Sequence, residues 1–299
     1  MAGSGWTDNR WRCRRASGRS QATDRAPRED PLRALFTLLA TLTLFSAHAA
    51  AADHDGAPPP FEARYELRKG PLTLGEARLT FERPGEDRYR YRMHTRPVGV
   101  TRLLYSAEVR EVSEGRIIAT GFRPERYHYH RTGDDDAREA ELRFDWDDGE
   151  VVNDVADRPW RMQIPADTLD RVVSPLQLMH DLAADGSATP LTYRIADGGE
   201  LKTYRLEVEG RETVNVPAGR FEALRIVRYD TDSDRETRLW CAPELDYLAI
   251  QVEQWEDGDR SFRLVLADLE GIDYKRQPPR PRFGDPLHSG RPGSGATGR

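Results

Sequence analysis

The chain has 299 residues, of which 37% are hydrophobic and 32% are charged, and its formal net charge at pH 7 is -6. This composition excludes a polytopic membrane protein, which needs several apolar runs of about 20 residues, and the presence of only two cysteines excludes a disulfide scaffold. The acidic balance argues against a nucleic-acid partner, because a polyanion is bound by a basic face.

The N-terminal part of the chain has the organisation of a secretory signal peptide. Residues 1–30 are polar and rich in arginine, residues 32–45 are apolar, and Ala47-His48-Ala49 follows as a small-x-small cleavage site. We therefore predict a signal peptide over residues 1–49, cleavage after Ala49 and a periplasmic product without a transmembrane segment. The alternative is an uncleaved signal anchor, although the apolar run is short for a membrane span.

Two polar segments flank a single predicted domain. Residues 50–60 form a proline-rich linker, and residues 275–299 combine proline, glycine and arginine with almost no apolar side chains. A segment with so little apolar content cannot offset the entropy that is lost on ordering, so we expect a disordered basic C-terminal tail. The residues between the two segments, 61–274, are predicted to form one β-rich domain.

The dominant pattern in this domain is a period of two. In residues 88–94, Tyr89, Tyr91 and Met93 share one face, and the same alternation recurs in 141–146, 203–208 and 247–252. Alternation of this kind predicts half-buried strands, roughly seven before residue 167 and six after residue 184. Turn-forming residues separate the strands: Arg83-Pro84-Gly85, Ser113-Glu114-Gly115, Thr132-Gly133-Asp134, Asp147-Asp148-Gly149, Asp197-Gly198-Gly199, Pro217-Ala218-Gly219 and Asp257-Gly258-Asp259.

The other face of the strand at residues 88–94 is basic. Arg88, Arg90, Arg92 and His94 alternate with the apolar side chains. Because guanidinium groups bind phosphates and carboxylates through charge-assisted hydrogen bonds, the three arginines are candidate ligands for a lipid phosphate or an acidic glycan. The other interpretation is a solvated face that pairs with acids on neighbouring strands. The spread of both charges along the whole chain favours this second interpretation.

Two segments contain residue types that bind metals. His128 and His130 lie at a spacing that places both imidazoles on one strand face, but zinc needs a further ligand and only Asp134 to Asp136 follow closely. The run from Asp230 to Asp234 resembles the start of a calcium loop, yet Arg235 replaces the required glycine and Cys241 the required glutamate. We therefore predict no metal site and no cofactor.

One segment, residues 167–184, has a helical period. Its apolar stripe consists of Leu169, Val172, Val173, Leu176, Met179 and Leu182. Pro175 predicts either a kink or the start of the second half of the helix with Ser174 as N-cap. The predicted fold is mainly β: one curved antiparallel sheet, like a half-barrel, with this single amphipathic helix on its concave side.

Candidate nucleophiles are few. No serine lies in a Gly-x-Ser-x-Gly motif. Cys241 is predicted to be buried and structural, because the strand period places Arg238 on the opposite face and a reactive thiolate needs a cationic neighbour or a helix N-terminus. The sequence therefore predicts no catalytic residue and disfavours an enzyme without excluding one.

Several motifs resemble a family of bacterial envelope proteins known as domain of unknown function 3108. The segment 214–223 resembles the family hairpin V-x-V-P-A-G-x-F-x-A. Further matches are Phe61 to Leu67 followed by Gly75, Thr168 to Leu182 with Asp170 and Ser174-Pro175, and Leu239-Trp240 followed by 243–248, although Ala249 stands where the family has proline. The resemblance covers residues 61–274. It implies an exported β-rich fold and no established catalytic residues.

Three functions fit these observations. The first is a non-catalytic binding or carrier module for an apolar or amphipathic envelope ligand such as a lipid, in which Leu176 and Met179 line a pocket under the helix. The second is a structural or interaction protein of the cell envelope with a packed core. The third, which has the least support, is a glycan or cell-wall hydrolase, which needs two close carboxylates or a histidine-centred metal in a cleft.

Overall fold

The structure is a computed structural model, and it describes residues 56–103, 106–133, 138–153, 159–185, 190–230, 235–256 and 258–275. The predicted signal peptide, most of the proline-rich linker and nearly all of the C-terminal tail lie outside these residues. The described residues contain 15 strands and one α-helix, α1 (Ser174–Ala184). The strands are β1 (Phe61–Lys69), β2 (Leu72–Gly85), β3 (Arg88–Pro97), β4 (Glu108–Ile118), β5 (Gly121–Thr132), β6 (Arg138–Asp145), β7 (Glu150–Asn153), β8 (Trp160–Gln163), β9 (Thr168–Asp170), β10 (Leu191–Asp197), β11 (Glu200–Val216), β12 (Gly219–Asp230), β13 (Glu236–Ala242), β14 (Leu248–Glu256) and β15 (Asp259–Glu270).

All 15 strands belong to one sheet. Its order is β8-β7-β6-β5-β4-β3-β2-β1-β15-β14-β13-β12-β11-β10-β9, so the first and last strands pair near the middle. Strands that are neighbours in this order pair antiparallel, except for β9 and β10, which are parallel. The predicted mainly β fold is confirmed, with nine strands rather than seven before the helix.

The sheet is strongly curved. Strands β4 and β9 stand fifth and fifteenth in the order, which in a flat sheet would put them roughly 48 Å apart at about 4.8 Å per strand. Instead, Ser113 Oγ on β4 donates a hydrogen bond of 2.5 Å to Asp170 Oδ2 on β9, and Arg171 Nε donates one of 2.7 Å to Glu111 Oε1 on β4. The edge strand β9 therefore packs inside the curve, as in a barrel that overlaps itself.

Helix α1 is shorter than the sequence predicts. It begins at Ser174 rather than near Asp167, because Thr168–Asp170 forms β9 and residues 171–173 form a turn. Pro175 lies in the first turn of the helix, where its missing N–H leaves no hydrogen bond unmade. The predicted N-cap was wrong: Ser174 Oγ donates to Arg171 O, while the Asp170 carboxylate accepts the amides of Val172 and Val173.

The inner face of the sheet carries a large aromatic core. Tyr89 and Tyr91 are buried as the alternation in β3 predicts. The rings of Tyr89 and Phe122 meet edge to face at 5.2 Å between centroids, and Phe81 packs on Phe122 at 6.0 Å. Helix α1 joins this core through Gln177, whose Oε1 accepts the Phe122 amide at 2.8 Å. The helix thus closes the concave side of the sheet over β5.

Candidate functional site

A groove of about 550 Å³ lies at one end of strands β4 to β7. This volume is within the range of small-molecule binding sites. The residues that line the groove are Arg116, Arg123, Arg143, Phe144, Asp145, Trp146, Asp147 and Val152. The groove therefore combines three guanidinium groups and two carboxylates with an aromatic wall, so its lining has an excess of one positive charge beside a flat apolar surface.

The aromatic wall is fixed in place by three contacts. The rings of Phe144 and Trp146 are stacked, with centroids 5.5 Å apart and an interplanar angle of 17°. Trp146 Nε1 donates a hydrogen bond of 2.7 Å to Pro124 O. The guanidinium carbon of Arg123 lies 4.6 Å from the centre of the Trp146 ring, a cation–π distance. Trp146 and Arg123 are therefore held in a fixed arrangement before any ligand binds.

The arginines of the groove differ in their ion pairs. Arg116 is neutralised, because it lies 3.1 Å from Glu125 and 3.6 Å from Asp87. Arg123 forms no ion pair with any acid among the described residues, and its Nε is buried without a hydrogen-bond partner there. Asp145 has one carboxylate oxygen engaged by the amides of Asp147 and Asp148 at 3.2 and 3.1 Å. The positive charge of Arg123 is therefore the one most open to compensation by a ligand.

Gly115 allows strands β4 and β5 to approach closely beside the groove. Gly115 lies within β4 at a register shift and opposes Pro124 on β5. A Cβ at this position would meet Pro124 Cα at 2.8 Å, so only glycine permits the two backbones to approach this closely. The sequence prediction of a turn at Ser113-Glu114-Gly115 was wrong, because this glycine serves close packing within a strand rather than a reversal of the chain.

The sequence prediction did not single out the groove residues. Arg116 and Arg123 face each other across the β4–β5 hairpin, whose turn follows Ile118. The two arginines are equally distant in sequence from this turn. A correct prediction of the turn would therefore have shown that they face each other. The stacking of Trp146 on Arg123 joins two segments that are far apart in sequence and had no comparable signal.

The three arginines predicted as anion ligands lie on the outer face of β3 and are all paired with acids. Arg88 forms an ion pair with Glu125. Arg90 Nε lies 2.5 Å from Glu114 Oε1, and Arg92 Nη2 lies 2.5 Å from Glu82 Oε1. These contacts are the cross-strand pairs of the second interpretation, and each contributes only a fraction of a kcal/mol at the surface.

The residues predicted to line a pocket under the helix lie in the core. Leu176 is 0% exposed and Met179 is 3% exposed. Both belong to one contiguous cluster of buried side chains that includes Phe122 of β5 and Ile250 of β14. The role of Leu176 and Met179 in ligand binding stays a prediction, and their surroundings resemble a packed interior.

A polar network is buried where β9 meets β4. The hydroxyl groups of Tyr89 and Ser113 lie 2.9 Å apart, and Ser113 bonds to Asp170. Tyr127 donates to Glu111 Oε1 at 2.6 Å. Burial raises the pKa of Asp170 to about 7, an effect that its hydrogen bonds partly oppose. Two carboxylates are thus close, but Glu111 and Asp170 are 1% and 0% exposed, which suits a structural network better than hydrolysis of a polymer.

The remaining candidates do not assemble into a reactive centre among the described residues. His128 Nε2 lies 2.9 Å from Glu139, and its ring is 6.2 Å from that of His130. No group of three metal-binding side chains occurs in the described ranges; Asp134 to Asp136 lie outside them, as does most of the run from Asp230 to Asp234. Cys241 is buried as predicted, and burial raises the pKa of its thiol to about 12.

No helix in the described part of the chain is both long enough and apolar enough to span a membrane. The predicted signal peptide, residues 1–49, lies outside the described ranges and stays a prediction from the sequence.

Comparison with known proteins identifies a family and some remote structural likenesses. The model of a family described as protein of unknown function, DUF3108, matches residues 61–264. No curated protein matches the chain.

Three solved structures are similar to this chain at low sequence identity. A β-barrel-like protein of the domain of unknown function DUF1849 from Brucella abortus is 13% identical, with a TM-score of 0.48 over 73% of this chain and 99% of that one. A protein from Bacteroides fragilis, described as exported and with a YmcC-like fold, and a protein from Parabacteroides distasonis, described as a lipoprotein, are each 10% identical, with TM-scores of 0.30 over 72% of this chain and 98% of theirs. At such TM-scores these likenesses carry no function to this chain.

Proposed function

The chain belongs to the DUF3108 family of proteins of unknown function, and we propose that it is an exported, non-catalytic binding module of the cell envelope. Its ligand is an amphipathic anion, and its site is the groove at β4 to β7. The observation that carries this proposal is Arg123, which is stacked on Trp146 and has no acidic partner among the described residues. Most other arginines of the sheet are paired with acids.

The chemistry of the groove points to an acidic sugar. A sugar ring has an apolar C–H face that fits a flat indole, and a carboxylate on the ring can accept two hydrogen bonds from one guanidinium group. Trp146 presents its indole to the groove, and the guanidinium group of Arg123, which lies over the ring, supplies the charge. Because the indole already packs on Phe144, little side-chain entropy is lost when the ligand binds.

The groove supports this function better than the pocket predicted under the helix. Leu176 and Met179 belong to the contiguous core, and a pocket for a lipid chain would need space beside them. A packed core also supports the second candidate, a structural envelope protein. Sugar binding distinguishes the two functions, because a purely structural protein should bind an acidic sugar and a neutral one equally weakly.

Binding of a galacturonic acid tetrasaccharide should depend on Arg123. A hydrogen bond to a charged group contributes about 1.5–3 kcal/mol, so Arg123→Gln should weaken binding by roughly ten- to a hundredfold in isothermal titration calorimetry. The methyl ester of the same tetrasaccharide, which keeps the ring and removes the charge, should bind the wild-type protein comparably weakly. Arg92→Gln is the matched control, because Arg92 pairs with Glu82 on the outer face, and it should leave the affinity unchanged.

Two results would contradict the groove as the binding site. One is equal affinity of the wild-type protein for the acid and its methyl ester. The other is a loss of affinity in Arg92→Gln that matches or exceeds the loss in Arg123→Gln, which would move the site to the basic face of β3.

Export is tested separately. The apolar run 32–45 followed by Ala47-His48-Ala49 supports cleavage by signal peptidase. N-terminal sequencing of protein recovered from the periplasm of a Gram-negative host should therefore begin at Ala50. Recovery of an intact N-terminus in the membrane fraction would favour the uncleaved anchor instead.

A further inference from the structure

Exposed apolar side chains are concentrated at one end of strands β2 and β3. In the described part of the chain, the large hydrophobic residues that are exposed are Leu72, Val100 and Leu103, at 63%, 76% and 85%, and the less exposed Tyr229 at 39%. Single exposed apolar residues are ordinary on protein surfaces, but a cluster marks an interaction site. Three of these four residues lie in two neighbouring connections: Leu72 directly follows the β1–β2 turn, and Val100 and Leu103 follow β3.

The backbone brings these three residues together. Leu72 begins β2, directly after the β1–β2 turn, and Val100 and Leu103 lie in a short 3-10 helix (Gly99–Leu103) that follows β3. Gly75 on β2 pairs with Pro97 on β3, and the Val98 amide donates to Leu74 O at 3.2 Å. The 3-10 helix packs against β2, so Leu72, Val100 and Leu103 lie at the same end of the two strands. We call Leu72, Val100 and Leu103 the apolar tip.

Two cations flank the apolar tip. Lys69 is the cross-strand partner of Leu72, and Arg102 lies between Val100 and Leu103. Both are exposed, and neither forms an ion pair with an acid in the described ranges. The arginines just behind the tip behave differently, since Arg68 pairs with Glu66 at 2.5 Å and Arg96 with Glu76 at 3.5 Å. At this end of β2 and β3, the cations without an acidic partner in the described ranges are therefore those of the tip, Lys69 and Arg102.

We propose that the apolar tip inserts into the surface of a membrane that contains anionic phospholipids. Exposed apolar side chains with adjacent Lys or Arg match the interfacial region of a bilayer, where the apolar groups enter the acyl boundary and the cations remain among the headgroups. Charge complementarity is the argument for this occupant: Lys69 and Arg102 are exposed beside the apolar tip and form no ion pair in the described ranges, so anionic headgroups can compensate both charges. The tip is a second site, distinct in residues from the groove.

Vesicle co-sedimentation tests this proposal. The full-length protein is mixed with vesicles made of phosphatidylglycerol and phosphatidylcholine in equal parts, and with vesicles of phosphatidylcholine alone. The wild-type protein should bind the mixed vesicles, and binding should weaken as the salt concentration is raised, because surface charges are screened.

A variant combining Leu72→Ser, Val100→Ser and Leu103→Ser should bind at least about tenfold more weakly, as expected from the loss of buried apolar side chains. The charge variant Lys69→Gln with Arg102→Gln should lose about fivefold for each cation.

Controls separate the tip from other surfaces. Tyr229→Ser removes the exposed aromatic residue of β12, which stands five strands from β2 in the sheet order. Arg96→Gln removes a paired cation beside the tip. Both variants should bind mixed vesicles like the wild type. Arg123→Gln should also bind normally, so failure of the groove and failure of the tip give different results. All substituted side chains of the tip are exposed, so circular dichroism melts should coincide with that of the wild type.

The proposal is overturned if the wild-type protein does not bind the mixed vesicles or if the triple serine variant binds them as strongly as the wild type does. It is also overturned if analytical ultracentrifugation shows a dimer that the triple serine variant abolishes, because the occupant of the tip would then be a second copy of the chain.

Discussion

Replacing Leu176 with alanine should lower the free energy of unfolding by about 2–5 kcal/mol. Leu176 is 0% exposed and lies in the first turns of α1, where the helix packs between β5 and β14. Truncation removes three carbon atoms from a contiguous core, and the rigid sheet on either side cannot close fully on the space that is left. The same change at Met179, which is 3% exposed, should have an effect in the same range.

Urea denaturation with and without lipid extracted from a Gram-negative envelope measures this effect. Arg126→Ala serves as the control, since Arg126 is exposed on β5 and belongs to neither the core nor the apolar tip. It should change stability by at most about 0.5 kcal/mol. A small loss for Leu176→Ala that added lipid alters would indicate a ligand-filled pocket under the helix. That outcome would restore the apolar carrier and weaken the case for the groove as the main site.

The local strand pattern could be read from the sequence because it depends on neighbouring residues. Tyr89 and Tyr91 are buried and Arg90 is not, as a period of two requires. The hairpin turn at Pro217 and Ala218 was also predictable, since proline and the following Gly219 favour a reversal of the chain. Pairing of β1 with β15, in contrast, joins the two ends of the domain, and no local pattern signals it.

The segment before α1 was misread because its burial is set by distant contacts. Thr168, Leu169 and Asp170 are all buried, since β9 packs inside the curve of the sheet. A strand that is buried on both faces does not alternate, so the sequence pattern assigns its apolar residue, Leu169, to the helical stripe that follows. Turn residues and apolar spacing alone cannot reveal this inward packing.

The groove could not be recognised because chemically identical residues differ only in their surroundings. Arg92 and Arg123 are both strand arginines with apolar neighbours in the sequence. Arg92 faces Glu82 across the sheet, whereas Arg123 lies against Trp146. Which arginine keeps an uncompensated charge depends on the register of three strands, and the sequence pattern does not specify that register.

Asp170→Ala should also be strongly destabilising, because the Asp170 carboxylate links the edge strand to the rest of the domain. Its Oδ1 accepts the amides of Val172 and Val173 at 3.0 and 2.9 Å, and its Oδ2 accepts Ser113 Oγ at 2.5 Å. Alanine would leave these three buried donors without that acceptor, and each unsatisfied group costs about 1–3 kcal/mol. We expect a loss of several kcal/mol in urea denaturation.

Asp170→Asn separates the charge of the carboxylate from its hydrogen bonds. The amide oxygen still accepts the Val172 and Val173 amides, so this variant should retain more stability than Asp170→Ala. A milder effect of alanine than of asparagine would contradict the capping role of Asp170.

The pH dependence of stability gives the second test of Asp170. Burial raises its pKa from 3.8 to about 7, with the nearby Glu111 adding to the rise and the Ser113 hydroxyl and two backbone amides opposing it. Well below pH 3.8 the carboxyl is protonated in both the folded and the unfolded chain. As the pH rises to 7, the carboxyl ionises in the unfolded chain first, so the stabilising contribution of the proton bound in the folded state is lost progressively over this window.

Asp170→Asn has no such proton, and its stability relative to the wild type should therefore rise by an amount on the order of a few kcal/mol between pH 4 and pH 8. Parallel stability curves for the two proteins over that range would show that Asp170 is ionised throughout, and the β4–β9 contact would then be held by a charged carboxylate.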